Sequence, residues 1–385
     1  MVPSPTAIIV GIGETEISKD SGRSDVRLNL EASLAALSDG GIVATDVDGI
    51  VVPALVGATA EDLMSALGLA DLAYSAAIHM GGAGPLAALA HARLAVTSGA
   101  AQNVLVSFGQ NGRSGSQRLG RRPPRLQISS ATTYRRNYEA VHGFVVPAPF
   151  YALWAQRYMY ENGWTSTEPL AHVARIQSEH AVLNGLGLAD RALTVEEHQT
   201  SRLISSPFRL YDCSREADGA AAILVRGVAN PQPGDVVIRG IGEGHPPQPD
   251  QPLARRPFLG SGMPGAARRA FDMAGCSPED LDFAELYDAF SFNVIWQLEQ
   301  IGICEPGAGA AFVLDSQIAL DGKLPVNTHG GLLAQGHLWG AAHITEAVKQ
   351  LRGTAGKAQV SGARRGLVTG SGDFGDASVA ILEVS

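Results

Sequence analysis

The chain has 385 residues, of which 45% are hydrophobic and 17% are charged, so it can bury a large core and divide into two or three domains. Its formal net charge of −9 argues against nucleic-acid binding, because such binding depends on clustered lysine and arginine side chains. No apolar run approaches the ~18 residues of a membrane span, and the N-terminus lacks the pattern of a signal peptide, so a cytoplasmic protein without membrane contact is expected.

The first third of the chain alternates strand and helix patterns. An apolar strand over 7–10 is followed by helical spacing over 28–37 and by a short strand over 47–52. A second helical pattern covers 86–95 and leads to a continuous apolar strand over 103–108. Strands that are apolar throughout are typical of parallel sheets covered on both faces.

The same order of elements returns in the last third of the chain. The repeated elements are a strand over 236–243, whose Gly-Ile-Gly-Glu ending echoes 11–14, a helix through 266–274, a strand over 281–286, a helix over 341–351 and a strand over 366–370. Two copies of one strand and helix order predict a duplicated α/β unit.

A different kind of segment separates the two copies. Residues 111–204 are polar and rich in arginine at first and helical later, which predicts an inserted loop domain. The predicted domains are therefore a first half made of 1–110 and 205–235, the insertion, and a second half over 236–385. The insertion contains Arg113, Arg118, Arg121, Arg122, Arg125, Arg135 and Arg136. This cluster is either a solvated loop face or a docking site for a CoA phosphate or an acidic partner.

Several motifs resemble those of the thiolase superfamily over essentially the whole chain. The matching positions are Asp212 and Cys213 with 218–222, the Tyr-Asp-Ala-Phe of 287–290, the Asn-Thr-His-Gly-Gly of 327–331 with Gly336 and His337, and the Gly-Ser-Gly of 370–372. Thiolases carry Asn-Glu-Ala-Phe, Asn-x-x-Gly-Gly and Gly-His-Pro at the corresponding places. The resemblance implies a thiolase fold, an α/β architecture with a duplicated five-layered αβαβα core and an inserted loop domain.

Both sulfur groups of thiolase chemistry are missing. Gly81 stands where thiolases have the nucleophilic cysteine, and Thr369 stands where they have the second cysteine. The three cysteines, Cys213, Cys276 and Cys304, lie elsewhere, have no metal-type spacing, and are interpreted as structural or incidental. The chain thus resembles the lipid-transfer-protein-type aldolases of bacterial steroid side-chain degradation. This resemblance implies retro-aldol cleavage of a β-hydroxyacyl-CoA to a ketone or aldehyde plus acetyl- or propionyl-CoA.

Retro-aldol chemistry indicates which residues can form the site. A base must take the proton of the β-hydroxyl group, and donors must hold the thioester oxygen as it becomes an enolate. His337 is the predicted base or oxyanion donor, and Tyr287 is the predicted donor or proton relay. Packing roles for both stay open, and His337 stands where the steroid aldolases have a second tyrosine. The residues predicted to bind substrate are Gly81, Gly82, Asp288, His329 and Gly372.

Some of these positions have structural alternatives. Asp288 is either an orienting partner or a helix N-cap, and His329 is either a supporting residue or a packing residue. His343 is predicted to be structural, and His79 is a possible replacement for the missing nucleophile.

Cofactor and partner expectations follow from the resemblance. No metal and no organic cofactor are expected, since CoA enters as part of the substrate. A homodimer is implied, together with a small partner with an OB-fold and a zinc ribbon that completes a heterotetramer. Two other functions stay open: a thiolase-like acyltransferase without a cysteine nucleophile, and a non-catalytic acyl-CoA or sterol carrier within a complex.

Overall fold

The computed structural model describes residues 5–54, 56–115, 135–185, 187–248, 253–372 and 375–385. Arg118, Arg121, Arg122 and Arg125 of the predicted anion-docking cluster lie outside the described residues. The cluster therefore stays a prediction, as do the domain boundaries.

The first half follows the predicted alternation and adds two elements. Its elements are β1 (Thr6–Glu14), α1 (Asp25–Asp39), β2 (Gly49–Pro53), α2 (Ala60–Leu67), β3 (Tyr74–Ile78), α3 (Gly84–Ser98) and β4 (Asn103–Asn111). The additions are α2 and β3. Local chemistry fixes the helix ends: the Ser24 side chain accepts a hydrogen bond from Arg27 N at the start of α1, and Gly99 ends α3 with a φ of 77°.

The middle of the chain is mostly helical and then returns to the sheet. Its elements are α4 (Pro147–Glu161), α5 (Glu168–Asn184), α6 (Val195–Thr200), the short strands β5 (Leu203–Ser205) and β6 (Phe208–Arg209), and the long strand β7 (Asp218–Val228). Every residue of β7 from 218 to 225 is buried, as expected for a central strand.

The second half repeats the first with shorter elements. Its elements are β8 (Val236–Gly244), α7 (Met263–Ala274), β9 (Phe283–Glu285), α8 (Ser291–Gln300), α9 (Gly309–Leu314), α10 (Gly331–Ala334), α11 (Ala341–Arg352), β10 (Arg365–Ser371) and β11 (Ala377–Val384). The predicted helix over 341–351 is α11, and Gly353 ends it with a φ of 70°.

The strands form one sheet whose two parts have matching order. The order is β3-β2-β4-β7-β1-β8-β11-β10-β9, and the two parts meet where Ile8 and Ile9 pair with Val237 and Val236. In the first part, β1, β7 and β4 pair in antiparallel fashion and β2 joins β4 in parallel. In the second part, β8, β11 and β10 pair in antiparallel fashion and β9 joins β10 in parallel. The counterpart of β3 in the second half is reduced to a single parallel bridge between Ala284 and Val326.

The helices produce the five predicted layers. α3 and α11 contact strands of both parts of the sheet, α1 packs on β1, β7 and β4, and α7 packs on β8 and β11. Buried residues of both halves, among them Leu86, Ile238 and Ile344, share one apolar cluster around the central helices. The predicted duplicated α/β architecture is confirmed.

The repeated glycines of the two halves have the same packing role. A Cβ atom on Gly11 would lie 2.1 Å from the carbonyl oxygen of Ala36, and one on Gly240 would lie 2.0 Å from that of Ala270. Both distances are far below van der Waals contact, so only glycine lets α1 and α7 lie this close to β1 and β8. The Gly-Ile-Gly-Glu motif that occurs in both halves therefore marks a strand on which a helix packs closely.

No helix in the described parts of the chain is long and apolar enough to cross a bilayer.

Candidate active site

Tyr287 follows the end of β9, and polar side chains fix its backbone. Tyr287 N donates to Thr369 Oγ1 at 2.8 Å, and Gln297 Nε2 donates to the Tyr287 carbonyl at 2.6 Å. The side-chain amide of Asn327 pairs with both backbone groups of Leu286, at 2.6 and 2.8 Å. Only 4% of Tyr287 is exposed. A buried segment held by so many hydrogen bonds has little freedom to move.

Thr369, which the motif resemblance matched to the second thiolase cysteine, uses its hydroxyl group for two hydrogen bonds inside the protein. It accepts from Tyr287 N and donates to Gln297 Oε1 at 2.6 Å. Because this short bridge occupies the hydroxyl group, Thr369 holds the tyrosine segment in place and is not a reacting group.

His337 lies beside Tyr287. Their ring centroids are 6.4 Å apart, and the ring planes make an angle of 80°. The Nδ1 atom of His337 is 2.9 Å from Ser214 Oγ, and His337 N donates to the Arg215 carbonyl at 2.8 Å. Ser214 therefore sets the orientation of the imidazole ring.

Ser214 is a site residue that sequence reasoning missed. It directly follows the Asp212 and Cys213 motif, and that position in a recognised motif is the one signal that could have singled it out.

The glycine segment before α3 packs against Tyr287. A Cβ atom on Gly82 would lie 2.2 Å from the Tyr287 hydroxyl oxygen and 2.5 Å from the Ser371 carbonyl oxygen. Gly81 has a φ of 52°, a left-handed conformation that favours glycine. The N–H groups of Ala83 and Gly84 at the start of α3 donate to the carbonyl groups of Met80 and Gly81, and Pro85 has no N–H. This helix end therefore offers the site its dipole and no free donor from these three residues.

Gly372 lies next to the same segment, but its amide is occupied. Its N–H donates to the Asp376 carbonyl at 2.8 Å, and its own carbonyl accepts from the Tyr151 hydroxyl at 3.3 Å. A Cβ atom on Gly372 would lie 2.6 Å from the Met80 carbonyl. The structure thus places Gly81, Gly82 and Gly372 in one region beside Tyr287. The substrate contact of Gly372 stays a prediction, to be made by groups other than its occupied N–H.

Asp288 and His329 lie inside the protein. The Asp288 carboxylate accepts from Leu332 N and Leu333 N at 2.9 and 3.1 Å, so it caps the short helix α10. His329 is 1% exposed, and its Nδ1 is 2.9 Å from Glu285 Oε2. Burial lowers the pKa of His329 to about 3, so the ring is neutral. These enclosed positions favour the orienting and packing alternatives, and the substrate contact of both residues stays a prediction.

The cysteine thiols and His79 show no contact with Tyr287 or His337 among the described residues. Cys213 directly precedes Ser214, but its Sγ atom donates to the Arg209 carbonyl at 3.7 Å. Burial raises the pKa of the Cys213 thiol to about 12 and that of Cys304 to about 11, and it also raises that of Cys276. Thiols with such pKa values are poor nucleophiles near neutral pH. His79 is exposed and lines a groove of about 670 Å³ beside β3. Among the described residues, no group of three His, Cys, Asp or Glu side chains is placed to hold a metal ion.

The chain is similar to known proteins along its whole length. Residues 251–384 match the family described as Thiolase C-terminal domain-like. The chain is 38% identical to the 17-hydroxy-3-oxo-4-pregnene-20-carboxyl-CoA lyase of Mycobacterium tuberculosis, over 95% of this chain and 96% of the relative. It is 34% identical to a steroid side-chain-cleaving aldolase of Thermomonospora curvata, over 91% of each.

A solved structure agrees with these relatives. The aldolase described as Ltp2-ChsH2(DUF35) superposes with a TM-score of 0.90 and 32% identity, over 100% of this chain and 99% of that chain. The relatives and the fold confirm the predicted class of carbon–carbon lyase. The chain belongs to the thiolase superfamily and, within it, to the aldolase subgroup that lacks the nucleophilic cysteine.

Proposed function

We propose that this chain cleaves a β-hydroxyacyl-CoA with a steroid-like side chain by a retro-aldol reaction. The products are a ketone or aldehyde and acetyl- or propionyl-CoA. The observation that carries the proposal is the position of Tyr287 beside His337 and against Gly82, with glycine at 81 and threonine at 369 instead of cysteines. Relatives named as a pregnene-carboxyl-CoA lyase and a steroid side-chain-cleaving aldolase support the steroid-like substrate.

The reaction needs one proton acceptor and one set of oxyanion donors. His337, held by Ser214, takes the proton of the β-hydroxyl group, and that oxygen becomes the carbonyl oxygen of the first product. The bond between the α and β carbons breaks, and its electron pair moves into the thioester to give an enolate. The Tyr287 hydroxyl donates to the enolate oxygen, and the dipole of α3, which begins two residues after Gly82, adds a favourable field there. Proton return to the α carbon completes the acyl-CoA product.

This scheme consumes no cofactor, so CoA enters only as part of the substrate. The solved Ltp2-ChsH2(DUF35) structure supports a second protein as a partner of this chain. We propose that the partner is a small OB-fold and zinc-ribbon protein and that two copies of each chain form a heterotetramer.

Product analysis tests the reaction. The purified chain, alone and with its partner, is incubated with a tertiary β-hydroxyacyl-CoA, and ketone and short acyl-CoA are followed by mass spectrometry. We expect both products in equal amounts without added free CoA. Consumption of free CoA would instead identify an acyltransferase. Recovery of intact acyl-CoA bound to the protein would identify a carrier.

The edge strand β3 is the proposed contact between two copies of the chain. β3 is an outer strand of the sheet, and Ser75 and Ala77 on it are small and exposed. An open edge of this kind pairs readily with another strand. We expect light scattering after size-exclusion chromatography to give a dimer for the unmodified chain and a monomer for Ala77→Glu, which would place like charges across the contact. Ala311→Glu, at an exposed position on α9, should stay dimeric. A dimer of Ala77→Glu would contradict the proposal.

A further inference from the structure

We infer that His343 is a positioning residue for Tyr287, acting through the two residues that flank the tyrosine. The inference rests on the proposed function, in which Tyr287 is the oxyanion donor. His343 lies on α11 and is fully buried. Its Nε2 atom is 3.1 Å from the Leu286 carbonyl and 3.0 Å from Asp288 Oδ1. One nitrogen therefore faces acceptors on both sides of Tyr287.

The contact fixes the protonation of the ring nitrogen. Both atoms near Nε2 are acceptors, so Nε2 carries a hydrogen. His343 faces the carboxylates of Asp288 and Glu285 and the edge of the His329 ring, whose centroid is 4.6 Å away. Both carboxylates raise the pKa of His343 and act against its burial. Nδ1 has no hydrogen-bond partner among the described residues, so Nε2 is the atom that anchors the ring.

The same contact links Tyr287 to two further elements. Asp288 also caps α10 through Leu332 N and Leu333 N. His343 thus connects the tyrosine segment to α10 and α11, and α11 follows directly after the loop that carries His337. A shift of His343 would change the position of Tyr287 relative to His337. Misplacement of a catalytic group by about 1 Å can reduce a rate by roughly 10²-fold.

Two substitutions separate positioning from packing. His343→Leu removes the donor, whereas His343→Gln keeps an N–H donor near the position of Nε2. We expect His343→Leu to lower kcat roughly 10- to 100-fold with KM changed less than about 3-fold, and His343→Gln to recover most of the loss. Should His343→Leu fail to fold, His343→Phe keeps a buried ring without the donor and should behave in the same way. His172→Leu, at a partly buried position on α5, is the matched control and should leave cleavage unchanged.

A double-mutant cycle tests whether the effect passes through Tyr287. If His343 acts by placing the tyrosine hydroxyl, His343→Leu should add less than about 3-fold to the loss caused by Tyr287→Phe. Equal losses in both backgrounds would overturn the inference and assign His343 to packing alone.

A spectroscopic measurement tests the placement of Tyr287 independently of the proposed reaction. The protein has eight tyrosines, so 13C labelling at Cζ gives a small set of signals, and Tyr287→Phe identifies the signal of interest. We expect this signal to move in His343→Leu and to stay close to its original position in His343→Gln. An unmoved signal in His343→Leu would overturn the positioning role. A moved signal, in a protein that cleaves no β-hydroxyacyl-CoA, would support positioning and refute the proposed function.

Discussion

Replacing Tyr287 with phenylalanine is expected to lower the rate of carbon–carbon cleavage by roughly 10²- to 10⁴-fold, and His337→Ala should have an effect of the same order. Each substitution removes one proton-handling group from a pair whose ring centroids are 6.4 Å apart. The two losses should not multiply, because both groups act on one transition state. The measurement is the initial rate of ketone and short acyl-CoA release by the assembled protein.

Matched surface variants control for nonspecific damage. Tyr160 is 80% exposed, and the side chain of His245 is 60% exposed. Tyr160→Phe and His245→Ala therefore remove the same groups, a phenol hydroxyl and an imidazole, from the protein surface. Both should cleave at the unmodified rate. Full activity in Tyr287→Phe would remove the tyrosine from the mechanism and leave His337 with the backbone as the remaining groups.

Gly82→Ala should be as damaging as loss of Tyr287 itself. The new methyl group would lie 2.2 Å from the tyrosine hydroxyl oxygen and 2.3 Å from its Cζ atom, so the ring must move. The tyrosine backbone cannot follow freely, because Thr369 and Gln297 hold it. We expect a loss of about 10²-fold or more in kcat and a destabilisation of about 1–3 kcal/mol, measured by rate assays and by denaturant unfolding.

A second glycine provides the control for this substitution. Gly265 lies in α7, and a Cβ atom there would approach only the flexible end of the Arg269 side chain, at 3.0 Å. Gly265→Ala should retain full activity and change the free energy of unfolding by less than about 1 kcal/mol, because the residue lies in the first turn of the helix and the Arg269 side chain can move aside. Normal turnover in Gly82→Ala would show that the tyrosine does not need its present position.

Much of the fold could be predicted because the two halves carry the same local signals. Glycines at 11 and 240 require close helix packing, and each copy repeats one strand and helix order. β3 was missed because its sequence, Tyr-Ser-Ala-Ala-Ile, lacks the alternation of large apolar and polar side chains that indicates a strand. Its edge position explains that composition, since half of its surface is not packed into the core.

The candidate site was predicted less completely, for a different reason. Tyr287 and His337 lie in recognisable motifs, and the structure places them side by side. Ser214 and His337 are 123 positions apart in the chain, and only the tertiary fold brings them into contact. Similarly, the enclosure of Asp288 and His329 depends on how α10 and α11 pack, which a motif does not reveal.

The bridge made by Thr369 has a consequence for any attempt to introduce sulfur chemistry into this site. A cysteine at that position would give up the short hydrogen bonds to Tyr287 N and Gln297, and a cysteine at Gly81 would have to adopt a φ of 52°. Both positions therefore belong to the scaffold around Tyr287, since Thr369 holds the tyrosine backbone and Gly81 shapes the glycine segment beside its ring. Two cysteine substitutions would weaken this scaffold before they could supply a nucleophile, so sulfur chemistry could be built here only together with a new support for the tyrosine segment.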